Sequence, residues 1–523
     1  MTGADARTQR MGEQAIPTAH PWLIAIAVMF PTVMVVLAST VVNVALPYIA
    51  GNVSAGTDEV TWVITSYLAA NAIIMPVTGW LSRVFGRKRF IVGCIMTFFI
   101  GSLACGMAHS LGFLIIARII QGLGGGAMQP VSQAVLLESF PPNKRGVAMA
   151  VYGVSIIVAP IIGPILGGWI TDNYSWRWVF YLNLPIGLIS LVLVYLFIED
   201  PSYFRQSAAR IDFIGLLLLV IWVASLLIML DKGQQEDWLD SRLIRTLLVM
   251  FILGLAAFIM WELRTPQPVV NLRLLCNPTF TIGTSINTIA SGAVLYSYTA
   301  YLPLFLQTLL GYPALQSGLT MAPRGLGALI AMFLVGQLIS VINPRLLLIA
   351  GFLSLGYSLY AIGNLNLDIA PGNIVIPNFL SGAATGFIFV PLTTISMGNL
   401  RKEEMANATG IYNLLRNIGS AMGIAVMSTL MARGAQIHQT NLVAHMTPYD
   451  TAYQQRLEQI KSALTPQSGE YTAAKQAVAL LGKELLRQST LLSYIDNFRY
   501  LALASVACIP ALLFLGRQRL KAG

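Results

Sequence analysis

Charge is scarce in this chain. Asp, Glu, Lys and Arg make up 10% of its 523 residues, 56% are hydrophobic, and mean hydropathy reaches +0.70. Soluble domains carry about 25% charged residues, so this composition excludes one and requires an integral membrane protein. Histidine is scarcer still, with His20, His109, His438 and His445 all at or beyond the edges of apolar runs. The four cysteines, Cys94, Cys105, Cys276 and Cys508, are scattered. Cys94 and Cys105 would lie about 16 Å apart along one helix, too far for a bridge, so neither a disulfide framework nor a metal site is expected. No Gly-x-x-x-x-Gly-Lys-Ser/Thr loop occurs, which argues against ATP hydrolysis by this chain. No cofactor is called for, and no soluble catalytic domain is visible, so an enzyme is not expected. The excess of 32 basic over 22 acidic residues is spread through short loops rather than gathered in a patch, which argues against a nucleic-acid partner.

What is present is hydrocarbon. Fourteen apolar stretches, each long enough to cross about 30 Å of bilayer, begin near Trp22, Val60, Phe90, Leu111, Val147, Arg177, Phe213, Leu243, Thr279, Ser317, Arg345, Gly372, Ala408 and Phe498. Continuous runs lack the alternation of barrel strands, so the expected fold is all-α. Residues 1–21 show no cleavage-site pattern, and the first run is expected to be a retained span. With the N-terminus in the cytoplasm, 18 Lys and Arg fall in inner segments and four (Arg177, Lys232, Arg242 and Arg245) in short outer ones. The positive-inside rule then places both termini in the cytoplasm. Gly79-x-Leu81 recurs as Gly336-x-Leu338, and Gly122, Gly126 and Pro130 recur as Gly382, Gly386 and Pro391, at offsets of 257 to 261 residues. Such a repeat suggests two halves rocking about a central site.

The segment Gly153 to Gly187 joins an apolar run with small residues on one helical face (Gly153, Ala159, Gly163, Gly167) to an aromatic turn. Small residues let another helix approach the backbone closely, and Pro160 and Pro164 permit a bend. Gly163-Pro164-x-x-Gly167-Gly168 resembles the antiporter motif of the major facilitator superfamily. The turn from Trp176 to Gly187 resembles that of its fourteen-span drug:proton antiporter group, the EmrB/QacA-type exporters. The resemblance implies a cytoplasmic tail (1–21), a six-helix half (22–198), two inserted spans with flanking loops (199–278), a second six-helix half (279–516) and a tail (517–523). It implies efflux of amphiphilic small molecules across the inner membrane, driven by a proton gradient. It also implies work with a periplasmic membrane-fusion adaptor and an outer-membrane channel. The polar segment 433–497 carries two amphipathic stripes separated by Thr465-Pro466-Gln467-Ser468-Gly469. These read either as two helices folding on each other or as a dock for that adaptor.

Leu114-x-x-x-Arg118-x-x-Gln121-Gly122 resembles the fourth-span motif whose arginine is associated with proton coupling. Arg118, Gln121, Gly125, Gln129 and Ser132 share a helical face, a polar stripe that must avoid lipid. Arg324 and Arg416 also fall within spans, Arg416 on a stripe with Thr409, Asn413 and Ser420. Each such arginine costs roughly 3 kcal/mol to insert, so three of them call for a reason. Two departures stand out. Arg83, in Gly79 to Arg89, stands where the superfamily usually has an aspartate, and reads as a positive-inside anchor or as a gating element. Ala38, in Leu37 to Pro47, replaces the aspartate usual in the group's first-span motif. No span carries a carboxylate at mid-depth, since Glu138, Asp212, Glu262 and Asp496 lie near span ends. Asp212 matches a group signature before the seventh span, or it simply complements a helix dipole.

Candidates for proton coupling or gating are therefore Arg118, Gln121, Gly163, Pro164, Gly167, Gly168 and Asp212. Candidates for substrate contact are Thr40, Asn43, Tyr67, Asn71, Tyr298, Arg324, Asn413 and Arg416. Three arginines without mid-span carboxylates favour an anionic or zwitterionic substrate over a lipophilic cation. An uncoupled facilitator, and a sensor or scaffold built on a transporter fold, remain as alternatives.

Overall fold

In lipid every backbone N–H and C=O must be satisfied within its own segment, so apolar runs of this length become helices. The computed structural model describes residues 20–141, 144–200, 212–367, 369–370 and 372–515, and among them there are helices and no strand. Fourteen helices among the described residues are long and apolar enough to span. Spans 1–6 are Pro21–Asn52, Trp62–Phe85, Arg87–Gly106, Leu111–Ser139, Arg145–Asn173 and Trp178–Phe197. Spans 7 and 8 are Phe213–Lys232 and Arg242–Arg264. Spans 9–14 are Pro278–Leu309, Gln316–Leu338, Pro344–Ile362, Gly372–Gly398, Lys402–Val443 and Glu470–Phe514. Most of both expected tails lies outside the described residues. An even number of spans returns the chain to the side it started from, hereafter the termini end; the opposite side is the far end.

Each set of six spans packs on itself. Span 4 meets spans 1, 2 and 3 in the first set, and span 12 meets spans 10 and 11 in the second. The repeat seen in the sequence appears here as matched crossings. A Cβ on Gly122 would meet the Tyr67 carbonyl of span 2, and one on Gly382 would collide with the Arg324 carbonyl of span 10. The two halves join along two seams, span 5 against span 10 and span 2 against span 13, and span 4 also touches span 13. Spans 7 and 8 pair with each other, and span 7 leans on spans 2 and 13, so the inserted hairpin covers one seam. At the termini end, Gly86 (φ +83°) turns span 2 into span 3. The next residue, Arg87, makes a buried two-pronged ion pair with Glu138 at 2.7 and 2.9 Å.

Two features differ from the sequence expectation. The second amphipathic stripe of 433–497 is not a separate helix but the first turns of span 14, which starts at Glu470 rather than near Phe498. No proline stands between Tyr471 and Asn497, and Gly482 is accommodated within the helix, so the span extends beyond bilayer length. The break is Gly469 alone (φ +74°), a left-handed conformation suited to glycine, while Pro466 fits into the last turn of the loop helix Thr451–Ser468. Span 9 is also irregular: π-helical turns at Thr288–Leu295 and Phe305–Leu309 interrupt it. Such turns weaken the backbone ladder and often accompany functional sites.

Candidate functional site

The candidate residues fall into three clusters and several outliers. The first cluster lies inside the first half. Arg118 is fully buried, its Nε donating to the Val63 carbonyl (2.9 Å) and its Nη1 to Gln121 Oε1 (2.6 Å). Its guanidinium lies 4.1 Å above the Tyr67 ring. Gln121 passes the network on to Ser102 of span 3 at 2.6 Å, and Tyr67 donates to the Val35 carbonyl of span 1 at 3.3 Å. Nη2 of Arg118 has no partner, and no carboxylate pairs with it among the described residues. Four spans therefore converge on one unpaired cation.

The second cluster is its counterpart in the other half. Arg324 donates to Thr299 Oγ1 (2.6 Å) and lies 5.1 Å from the Tyr298 ring. Tyr298 donates to Asn378 Oδ1 (2.7 Å), whose amide donates to the Thr320 carbonyl. Arg324 is offset from Tyr67 as Gly336 is from Gly79, and Asn378 from Arg118 as Gly382 is from Gly122. Each half thus places one guanidinium in the same crossing, supplied from opposite helices. Unlike Arg118, Arg324 is only partly buried.

The third cluster joins the halves. Arg416 Nη2 donates to Gln129 Oε1 (3.1 Å) and Asn413 Nδ2 to Gln133 Oε1 (2.8 Å), tying span 13 to span 4. Tyr152 of span 5 donates to the Gln129 carbonyl (3.0 Å) and stacks on Phe389 of span 12. Arg416 sits about 16 Å along its helix from Met405, near the bilayer centre. Gln133 and Tyr152 went unnoticed in the sequence. Gln133 lies one turn beyond Gln129, off the stripe that begins at Arg118, and a lone tyrosine in an apolar run gives no signal.

Other candidates stand apart. Thr40 donates back to the carbonyls of Val36 and Leu37 and abuts Gly163, and a Cβ on Gly167 would meet the Val41 carbonyl at 2.8 Å. These three form the tight crossing of spans 1 and 5. Gly168 lies beside Val44 of span 1; Pro164 is in the same helix, its side chain outside the described residues. Asn43 is exposed, and Asn71 is buried where span 4 crosses span 2. Ala38 is buried. Asp212 caps span 7 by accepting from Gly215 N (2.9 Å) and also accepts from Trp261 Nε1 of span 8. It is thus built into the inserted hairpin. Asp212→Ala is expected to lower stability by about 1 kcal/mol through loss of the cap while leaving any pH dependence of transport intact. Loss of that dependence in a vesicle assay would restore Asp212 to a coupling role. One carboxylate not foreseen near a seam is Asp231, which accepts from Thr65 of span 2 at 2.6 Å.

A bundle of two repeated six-helix halves with buried polar clusters at their crossings is the architecture of a membrane transporter. Residues 28–424 match the Major Facilitator Superfamily. Among solved structures, the fold resembles that of the proton:xylose symporter XylE (TM-score 0.59, 14% identity, covering 93% of this chain and 95% of that one). It also resembles that of the human organic anion transporter MFSD10 (TM-score 0.57, 14% identity, covering 93% and 100%). The chain belongs to the major facilitator superfamily and is a multi-pass membrane protein. Within it, the chain groups with the EmrB-type exporters. It is 38% identical to the fatty acid resistance protein FarB of Neisseria gonorrhoeae, over 80% of this chain and 82% of that protein. It is 35% identical to the multidrug export protein EmrB of Escherichia coli K12, over 91% of each.

Proposed function

We propose that this chain exports amphiphilic anions or zwitterions across the cytoplasmic membrane by alternating access, in exchange for protons, with its termini end in the cytoplasm. The observation that carries the reading is the Arg416/Asn413 to Gln129/Gln133 junction. It is a polar, cationic contact between the halves at mid-depth, where a carrier must make and break contacts in each cycle. Among the described residues, no carboxylate neutralises Arg118, Arg324 or Arg416. A substrate that supplies negative charge suits such a path, and FarB and EmrB by their names confer fatty acid resistance and multidrug export. The far-end projection offers exposed apolar side chains, Ile437, Tyr449, Tyr471 and Val478 among them, as the place for a periplasmic adaptor leading to an outer-membrane channel.

The test is uptake of anionic and cationic amphiphiles into inside-out vesicles under an imposed pH gradient, with and without a protonophore. Accumulation of anions that the protonophore collapses is expected, and competition by cationic dyes alone would overturn the charge argument. An uncoupled facilitator is the second reading, favoured by Ala38, buried where the group usually has an aspartate. Equilibration without accumulation would establish it. Binding without any turnover would instead indicate a sensor or scaffold. The crossing of spans 1 and 5 gives a graded check. A Cβ at Gly163 collides with Thr40 Oγ1, which is held by its own helix. Gly163→Ala should overpack the crossing by about 1–3 kcal/mol and slow transport by roughly tenfold, with partial rescue when Thr40→Ala is added.

A further inference from the structure

Two cavities flank Pro266 at the termini end, and their linings differ in kind. One, of about 280 Å³, is lined by Trp80 and Arg83 from the last turns of span 2 and by Gln267, Asn271 and Arg273 from the linker after span 8. The other, of about 540 Å³, runs along Leu218 of span 7 and Ala257, Met260 and Trp261 of span 8, with Arg264 at its rim. Pro266 lines both. The first cavity is rich in donors without matching acceptors. Trp80 is 5% exposed, and its indole N–H has no partner among the described residues. Neither Arg83 nor Arg273 pairs with a carboxylate among the described residues. Arg83 spends only its Nε, on the Gly79 carbonyl of its own helix (3.3 Å). The Asn271 side-chain oxygen accepts from Arg273 N, which leaves its amide hydrogens to point elsewhere.

We infer that these cavities together form a binding site for one anionic phospholipid of the leaflet at the termini end. Its phosphate lies between Arg83 and Arg273 and accepts the Trp80 indole hydrogen. The headgroup hydroxyls meet Asn271 and Gln267, and an acyl chain lies in the apolar groove between spans 7 and 8. Guanidinium groups suit phosphate because their fork of N–H donors matches its oxygens. A fatty-acid carboxylate has too few acceptor sites to use both arginines, the indole and two amides together. The site opens to the lipid at membrane-surface depth, so a leaflet lipid enters sideways without crossing water. An occupant bridges span 2 of the first half to the linker that leads into the second. Charge at residue 83 decides which headgroup fits there.

The test is native mass spectrometry of the full chain, purified in mild detergent and titrated with phosphatidylglycerol, phosphatidylcholine or oleate. The expected result is one retained phosphatidylglycerol per chain, preferred over phosphatidylcholine by about tenfold. Arg83→Gln with Arg273→Gln should lower retention about tenfold at an unchanged melting temperature, and Trp80→Phe should lower it less. Should the double variant fold poorly, Arg273→Gln alone, in the exposed linker, gives the same reading. Equal retention of the two phospholipids, or wild-type retention by the variants, would overturn the site. One-for-one displacement of phosphatidylglycerol by oleate would overturn the phospholipid assignment in favour of a free fatty-acid anion.

Discussion

Arg118→Met is expected to cut transport by about 100-fold or more, the scale on which misplaced active groups cost rate, in a protein that folds and melts nearly as the wild type does. Removing an unpaired cation from a dry site relieves roughly 3 kcal/mol. Leaving the Gln121 oxygen without its charged donor costs about 1–3 kcal/mol, while the Val63 carbonyl keeps the backbone N–H of its own helix. These terms nearly offset, so a cation retained here serves something other than stability. Arg118→Lys should fail almost as completely, because an ammonium cannot reach Val63 and Gln121 together while lying flat on Tyr67. The check pairs vesicle transport with thermal melting. A variant that melts like wild type and transports normally would make Arg118 a packing residue.

The legible part of this molecule was the part set by hydrophobic length and by small residues. Spans of bilayer length declare themselves, and Gly122 and Gly382 marked equivalent crossings before their neighbours were known. The first-half cluster was half visible, because Arg118 and Gln121 share a stripe on one helix. Its other members, Ser102, Val63 and Tyr67, come from other helices, and periodicity along one helix carries no information about its neighbours. The equivalence of Tyr67 with Arg324 was hidden for a further reason: the two crossings swap which helix donates the arginine, so no residue identity repeats. The far-end projection misled because amphipathic stripes define faces but not ends. Only Gly469 breaks the helix there, and the stripe that follows runs straight into the last span.

Cutting the junction at mid-depth should move the balance between conformations rather than abolish the fold. In Gln129→Ala/Gln133→Ala the Arg416 to Gln129 bond is lost, worth about 1.5–3 kcal/mol because one partner is charged, and so is the neutral Asn413 to Gln133 bond, worth about 1 kcal/mol. If both exist only while spans 4 and 13 are in contact, about 3 kcal/mol is removed from that state alone, on the order of a hundredfold in the equilibrium between states. The halves should then separate more readily at the termini end, because the remaining seam contacts there, such as Gly146 against Ile339, are apolar and close but carry no directional bond. Spin labels placed at the termini ends of spans 5 and 12 would report this as a second, longer distance population in the variant. Transport should fall in parallel, since a carrier resting mainly in one state completes few cycles. An unchanged distance distribution would mean that the junction is held by its surroundings, with the Tyr152 and Phe389 stack as the next place to cut.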